Sequence, residues 1–388
     1  MIDLHIHFPM RLLGGVEAPR DVIEGMTRVR GREDGKLRAA VLAIAARLFN
    51  FRDWDGSWRV TPQLLARGEV TIACSVLYRP FSEMDLAEPF AAPPESAYYP
   101  KLIELLDATE QEIERNGHVV VRTAADLQDS RMRFAHCVEG GFHLGATPEQ
   151  VTAHVHELAD RGVLYITLAH LFWRRVATNA PALPFLPDAL YNVVFPQEKG
   201  AALSELGEAA VRAMHERKVL VDISHMREDA IQETFALIEA LDVQSGRDPR
   251  AYPVIASHAG YRFGGQQYNV SARTVARIAA RGGVIGLIFA EHQILDGLRR
   301  RGTETFEESF EILCRHIDRI AEITGSHSHA AIGSDLDGFI KPTLAGLQTM
   351  ADMAPLERAL IDRFGQADAE LITSANALRV LRTGWGSA

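Results

Sequence analysis

The sequence predicts an α/β fold, a (β/α)8 barrel, over its 388 residues. Short runs rich in Val, Ile and Leu are apolar on both faces, as the strands of a buried parallel sheet are. Longer amphipathic stretches separate these runs, which indicates helices between the strands. Eight such runs fit a closed barrel. A doubly wound sheet is the competing fold, but the glycine pattern that usually follows its first strand is missing from the sequence.

Each predicted strand is brief and is bounded by polar or turn-forming residues. The strands are predicted at 2–7, 69–77, 132–138, 163–169, 219–224, 253–257, 283–289 and 330–334. Helices are predicted between them at 101–116, 148–161, 203–217, 272–281, 305–324 and 355–365. The pattern finds no boundary that would divide the chain, so we expect one domain over 1–388.

Two stretches interrupt this alternation. Residues 10–68 are too long for a simple connection and contain a predicted helix at 36–49, so we interpret them as an insertion after the first strand that caps the barrel mouth. A peripheral position away from any substrate is the alternative. Residues 172–202 are rich in proline and follow a predicted strand, which favours a second loop at the rim.

Composition narrows the classes of function. The formal net charge of −10 argues against nucleic-acid binding and against a polybasic membrane anchor. We see neither a membrane-spanning apolar run nor a signal-peptide pattern, so we expect a cytoplasmic protein without membrane attachment. Cys74, Cys137 and Cys314 are far apart in apolar surroundings, which is typical of reduced core cysteines.

Histidines and acidic residues follow the predicted strands. His5 and His7 come first, and residues two apart on a strand point to the same face. The other strand ends supply Glu139, His170, His225, His258 and Asp335. A single histidine after an apolar run is usually a packing residue. In a parallel barrel, however, these ends meet at one mouth, so their accumulation predicts a metal site.

The ligand types indicate two metal ions and hydrolysis. Six side chains exceed the four ligands that one zinc ion usually takes, namely His5, His7, Glu139, His225, His258 and Asp335. A carboxylate such as Glu139 can bridge two cations that share a water molecule. Metal ions lower the pKa of such a water and polarise the bond that is cut. The sequence therefore predicts a metal-dependent hydrolase.

Several motifs occur in the order of a known family. They are the initial HxH, EGG, VDISH, PVIASH and IGSDLDG, together with TPQLLARGEVTIACSVLY, HIDRIAEITG and the C-terminal ANALRVLRT. In this order, and over nearly the whole chain, they resemble the membrane (renal-type) dipeptidase family, peptidase family M19 of the metal-dependent amidohydrolases. The resemblance implies a barrel that hydrolyses dipeptides or N-acyl amino acids with a hydroxide between two zinc ions.

The same resemblance implies a role for each site residue. His5 and His7 would hold the first Zn2+, Glu139 would bridge both ions, and His225 and His258 would hold the second. In addition, Asp335 would move the proton, and His170 would bind substrate and support the oxyanion of the tetrahedral intermediate.

Two positions depart from the family pattern. The family usually has HxD at the first strand, whereas this chain has His7, which leaves the site one negative charge short. The family also places an arginine for the substrate carboxylate immediately before an Asn-Val pair, and here Tyr268 precedes Asn269. Arg262 either replaces that arginine or is a solvated surface group. The predicted substrate-binding residues are thus His170, Arg262, Tyr268 and Asn269.

The altered carboxylate position keeps other functions open. One alternative is a lactonase, esterase or cyclic amidase of the same fold, and another is a catalytically silent barrel that binds metal. In the leading interpretation the partner is a dipeptide or another small molecule, with no nucleic acid and no membrane. A homodimer is left open, since no feature of the sequence marks an interface.

Overall fold

The computed structural model describes residues 1–13, 57–83, 94–183, 186–198, 200, 202–338, 340 and 342–385. Most of the predicted insertion 10–68, including the predicted helix 36–49, lies outside the described residues. Its described end reaches the barrel mouth, because the backbone N–H groups of Arg59 and Val60 donate to the Asp337 carboxylate at 2.8–3.0 Å. That the insertion caps the site stays a prediction.

The described residues form nine parallel strands. They are β1 Ile2–Ile6, β2 Ile72–Leu77, β3 Val119–Val121, β4 Arg133–Glu139, β5 Tyr165–Thr167, β6 Leu220–Asp222, β7 Val254–Ala259, β8 Ile285–Leu287 and β9 Ala330–Ile332. Eight pair in the order β1-β2-β4-β5-β6-β7-β8-β9, and β3 pairs with β4 outside that path. The predicted barrel is confirmed, since each of the eight predicted runs overlaps one of its strands.

The barrel closes just beyond β9. The His7 N–H donates to the Leu336 carbonyl at 3.0 Å, and the Asp335 N–H donates to the His5 carbonyl at 2.9 Å. These bonds join the C-terminal end of β1 to the residues after β9. The closure therefore brings the first and last predicted ligands together.

The described residues also form thirteen α-helices. They are α1 Pro62–Arg67, α2 Pro80–Glu83, α3 Tyr98–Arg115, α4 Pro148–Asp160, α5 Asp188–Val194, α6 Glu205–Arg217, α7 Glu228–Gln244, α8 Ala272–Ala280, α9 Glu291–Ile294, α10 Phe306–Thr324, α11 Met353–Phe364, α12 Gln366–Glu370 and α13 Asn376–Gly384. A π-helical turn, Leu371–Ala375, joins the last two. None of the described helices has the length and apolar character to cross a membrane.

Hydroxyl side chains fix where several helices begin. Thr147, Ser204, Ser271 and Thr305 each accept a hydrogen bond from a backbone N–H in the first helical turn. Such caps satisfy donors that have no partner within the helix. They explain why the observed starts of α4, α6, α8 and α10 lie within two residues of the predicted ones.

The sequence pattern did not predict β3 or the helices α1, α2, α5, α7, α9, α12 and α13. β3 has only three residues, too few to show a period. In α7, the buried Ile231, Phe235 and Ile238 are joined by partly buried leucines, so the apolar face is broad and the helical period is weak. α5 lies within the stretch 172–202 that was predicted to be irregular.

Two glycines let the strands pack closely beside the site. A Cβ atom on Gly286 or Gly333 would lie 2.0 Å or 1.8 Å from the Ser257 carbonyl oxygen. No other residue fits at such a separation, so β8 and the end of β9 can approach β7 only because both positions are glycine. This packing places Ser257 and His258 inside the barrel.

Candidate metal centre

Glu139, the last residue of β4, lies at the centre of a ring of imidazoles. Its Oε1 atom is 3.4–3.5 Å from the Nε2 atoms of His5, His225 and His258. Its Oε2 atom is 3.4 Å from Nε2 of His7 and from Nε2 of His170. All of these side chains are buried. The structure thus brings together, around one carboxylate, the histidines that the sequence analysis selected.

Asp335 joins the same cluster from the loop after β9. Its Oδ1 atom lies 2.9 Å from Nε2 of His7 and 3.8 Å from Nε2 of His5. Across the cluster, the Nε2 atoms of His225 and His258 approach to 2.9 Å. Three overlapping groups have the geometry to hold a metal ion: His5–His7–Asp335, His5–Glu139–His258 and Glu139–His170–His225.

Several atoms of this cluster have no hydrogen-bond partner among the described residues. They include both Glu139 oxygens, Nε2 of His5 and Oδ1 of Asp335. Buried polar groups are rarely left without a partner, because the loss of hydration is costly. A set of unpartnered nitrogen and carboxylate atoms that converge is what divalent cations such as zinc bind. The residues therefore fit a metal.

Hydrogen bonds behind the ring set the tautomers of two histidines. The Tyr165 hydroxyl donates to the Leu4 carbonyl at 2.7 Å and lies 2.9 Å from Nδ1 of His5, from which it accepts. Ser257 Oγ donates to Asp222 at 2.6 Å and accepts from Nδ1 of His258 at 2.8 Å. With the proton on Nδ1, the Nε2 lone pair of each ring points at Glu139. Such outer partners are typical of metal-binding histidines.

Asp222 organises this outer layer, and the sequence analysis did not select it. Its carboxylate accepts from the N–H and Oγ–H of Ser224, from the N–H and Oγ–H of Ser257, and from Thr167. Asp222 is fully buried at the end of β6. Asp222 lies within the VDISH motif, three residues before His225 at the end of a strand, and this position could have identified it from the sequence.

The backbone is strained where ligands leave the strands. His225 and Asp335 have φ angles of 63° and 60°, in the left-handed region that non-glycine residues seldom occupy. Such conformations persist only where the surrounding structure imposes them, and they concentrate at functional sites. Here they turn both side chains into the mouth.

The charges of the cluster are coupled. Burial would raise the pKa of Glu139, but His170 and His5 hold that pKa well below its usual range. Burial and the neighbouring His170 lower the pKa of His225, while burial with His5 and His225 lowers that of His258. Glu139 is therefore ionised and His225 and His258 are neutral, which are the protonation states that bind metal. His5 differs, because burial would lower its pKa but Glu139 and Asp335 raise it.

His170 differs from the other histidines of the ring because a second carboxylate holds it. Its Nδ1 atom lies 2.5 Å from Oε2 of Glu83, the last residue of α2. Burial would lower the pKa of His170, but Glu139 and Glu83 raise it to about 9. Glu83 was not predicted from the sequence, because it belongs to a short helix rather than to a strand end and lies in no recognisable motif.

The predicted substrate residues lie near the ring, with differing partners. The Tyr268 ring packs edge-on against His225 at 4.9 Å between centroids, and its hydroxyl donates to the His258 carbonyl at 3.2 Å. Asn269 is buried, and both of its amide atoms bond to backbone. The Arg262 guanidinium donates to the carbonyls of Asn269 and Gln267. The structure places Tyr268 against the centre, while Asn269 and Arg262 hold their own loop.

Open space lies at the same end of the barrel. A cavity of about 420 Å³ is lined by residues of the proline-rich rim, by Gln266 and by His292. A neighbouring cavity of about 830 Å³ shares Gln266 and His292 and extends to Arg299–Arg301. Both have the size of small-molecule sites. The rim predicted at 172–202 therefore contributes to this space.

The sequence profile of the membrane dipeptidase family (peptidase family M19) matches residues 64–384. The chain belongs to this family. It is thus a member of a family of metallopeptidases that hydrolyse dipeptides, as the motifs indicated. The dipeptidase tcpJ of Claviceps purpurea is 26% identical over 248 residues, which are 62% of this chain and 49% of that protein. Across three curated relatives, the match covers 49–66% of their lengths.

Two solved structures share the fold of this M19 family member. The dipeptidase AC, a metallopeptidase, superposes with a TM-score of 0.70 at 19% identity and covers 100% of this chain and 98% of its own. A metallopeptidase from Rhodobacter sphaeroides, bound to a phosphinate mimic of L-Ala-D-Ala, gives a TM-score of 0.69 at 19% identity with 99% of each chain covered. At this identity the likeness shows the shared fold.

Proposed function

We propose that the protein is a zinc-dependent hydrolase of small amides, most of all dipeptides or N-acyl amino acids. One observation carries this proposal: five imidazole Nε2 atoms lie 3.4–3.5 Å from a buried Glu139 carboxylate whose oxygens have no described hydrogen-bond partner. A barrel can supply such a set only from strand ends that meet at one mouth. Membership of a metallopeptidase family gives the set its chemistry.

We assign the ligands to two ions. His5 and His7 belong to the first Zn2+, since both approach Oδ1 of Asp335. His225 and His258 belong to the second, since their Nε2 atoms converge. Glu139 would be shared by the two. His7 replaces a carboxylate of the family pattern, so the first site carries one negative charge less and should bind its ion more weakly.

The chain's own residues then perform amide hydrolysis. When bound, the two ions supply Lewis acidity that makes water a better nucleophile and polarises the carbonyl group. Asp335 accepts the proton of the attacking water as its oxygen joins the carbonyl carbon. When the C–N bond breaks, the same carboxyl gives that proton to the leaving amine nitrogen. His170 faces the oxygen on which negative charge develops.

A specific observation favours a second candidate function, the hydrolysis of a lactone, an ester or a cyclic amide without a free carboxylate. Tyr268 stands where the family pattern has an arginine, and the Arg262 guanidinium is already bonded to two backbone carbonyls. Tyr268 has no charged group for a substrate carboxylate. The Arg262 guanidinium donates to its own loop instead of making the paired, charged contact with a carboxylate.

We further propose a cytoplasmic location. In support, all three cysteines are buried and free, as in reduced proteins. The homodimer also stays a proposal, to be tested by light scattering.

A substrate panel with metal analysis tests the function. Protein purified without chelator should contain about two equivalents of zinc, since two ligand sets are present. It should hydrolyse dipeptides or N-acyl amino acids, lose activity with chelator and regain it with zinc. Hydrolysis of lactones or esters alone would select the second candidate. Bound metal without turnover of any amide or ester would identify a silent barrel.

A further inference from the structure

The Glu83 carboxylate is enclosed by donors, one of which is His170. Oε2 accepts from the Tyr78 hydroxyl at 2.6 Å and from Nδ1 of His170 at 2.5 Å. Oε1 accepts from the backbone N–H of Phe172 at 3.1 Å. The Glu83 side chain is fully buried. A carboxylate kept from water in this way has a fixed position, and so has the imidazole bonded to it.

The segment that carries Glu83 is itself anchored. The buried Arg174 guanidinium donates to the backbone carbonyls of Ser82 and Glu83 and to the Tyr98 hydroxyl. Glu83 thus ties α2 to the loop after β5 at two points, the His170 ring and the Phe172 backbone. Glu83 and the loop that carries His170 are therefore held together as one unit.

This contact decides which ring nitrogen faces the reaction. The carboxylate is a pure acceptor, so it keeps a proton on Nδ1 of His170. The opposite nitrogen, Nε2, is left 3.4 Å from Oε2 of Glu139. The orientation of the ring is the same in the neutral form and in the imidazolium, because Nδ1 carries a proton in both. Donation from Nε2 to an oxyanion requires a second proton, on Nε2, as in the imidazolium.

We propose that Glu83 is a positioning residue of the reaction, which fixes the orientation of the His170 ring so that Nε2 faces the substrate carbonyl oxygen beside Glu139. The proposal rests on the hydrolase function given above. Glu83 touches neither the substrate nor the metal ligands of that scheme. It acts only through His170, as the third group of a triad acts through its histidine.

Glu83→Gln tests this with a defined change of hydrogen bonding. The Phe172 N–H can only donate, so the amide oxygen of glutamine must take the Oε1 position. The NH2 group then occupies the Oε2 position and faces Nδ1 of His170. A donor there cannot accept from the protonated Nδ1 of His170, so the variant should break the contact that holds the ring in place.

Two measurements are made on the zinc-loaded full chain. Nitrogen-15 NMR distinguishes protonated from unprotonated ring nitrogens, and His170→Gln identifies the His170 signals by their loss. We expect a protonated Nδ1 in the wild type, hydrogen-bonded to Glu83, and a changed Nδ1 signal in Glu83→Gln, where that bond is lost. We also expect kcat to fall about 10–100-fold with little change in KM, as for other outer partners of functional histidines.

The chain offers a matched control in a second buried carboxylate–histidine pair. Asp242 Oδ1 lies 2.9 Å from Nε2 of His215, between α7 and α6 on the outside of the barrel. Asp242→Asn should lower the melting temperature but leave kcat of the folded protein unchanged. Zinc content should match the wild type in Glu83→Gln, which separates positioning from metal loss.

The outcomes separate the two proposals. A wild-type His170 without a proton on Nδ1 overturns the role of Glu83, and this result needs no variant. A kcat of Glu83→Gln within about twofold of the wild type also overturns it, on whichever substrate the wild type hydrolyses. Absence of dipeptide hydrolysis by the wild type overturns only the dipeptidase proposal.

Discussion

Two kinds of buried histidine in this molecule differ in their hydrogen bonds. His316 on α10 accepts from the Tyr261 backbone N–H at 2.9 Å and donates to the Ile294 carbonyl at 2.8 Å. His143 is likewise bonded on both sides by backbone, through Gly140 and Arg79. In the ring around Glu139, by contrast, each histidine turns an Nε2 atom towards a carboxylate that has no other described partner.

The difference is one of hydrogen bonding rather than burial. A histidine whose two nitrogens both bond to backbone is a packing residue with a fixed neutral tautomer. A histidine whose Nδ1 is held by a hydrogen bond, while its Nε2 converges with other ligand atoms, is placed to bind a metal ion or substrate. His143, four residues after Glu139 of the EGG motif, would pass for a site residue by sequence alone.

The largest effect is expected at the centre of the ring, from Glu139→Gln. The amide cannot bridge two cations as a carboxylate does, so zinc should fall to one equivalent or less and turnover should be lost. Elemental analysis and a dipeptide assay check both. Retention of two ions would show that the imidazoles do not depend on Glu139.

Asp335→Asn should have the next largest effect. Removing the group that moves the proton should lower kcat by about 10²–10⁴-fold, since general acid–base catalysis contributes that much. Zinc content should change little, because the four histidine ligands and Glu139 remain. Stopped assays and metal analysis on the same sample separate a loss of proton transfer from a loss of bound zinc. Full turnover would remove Asp335 from the mechanism.

Tyr268→Arg should change specificity. A charged contact to a substrate carboxylate contributes about 1.5–3 kcal/mol, so kcat/KM for free dipeptides over their amidated forms should rise roughly 10–100-fold. The ratio corrects for damage to the packing of Tyr268 against His225. Tyr268→Phe, which keeps the ring, is the control and should leave the ratio unchanged.

Protonation of the packing residue His316 should make the stability of the fold depend on pH. Burial lowers the pKa of His316 to about 4 from an ordinary value of 6.5. The contribution of neutral His316 to the free energy of unfolding is therefore complete above pH 6.5. About 3 kcal/mol of it is lost as the pH falls towards 4. His316→Gln, whose amide can make both backbone bonds, should flatten this dependence in denaturant unfolding with chelator present. An unchanged slope would contradict the assignment.

The sequence predicted the strand ends well because a buried parallel strand and the polar residue that follows it are both local features. Long-range contacts were not predictable in this way. Glu83 reaches His170 from a four-residue helix far away in the chain, and no periodicity marks it. Arg262 was predicted to face substrate or solvent, but its loop folds back so that its guanidinium bonds to that loop's own carbonyls.

An anomalous difference map recorded at the zinc absorption edge, from crystals grown without chelator, tests the central claim most directly. The account predicts two peaks, one on each side of the Glu139 carboxylate, each about 2.0–2.1 Å from histidine Nε2 atoms. A map with no peak inside the ring, while His5, His225 and His258 still face Glu139, would contradict it.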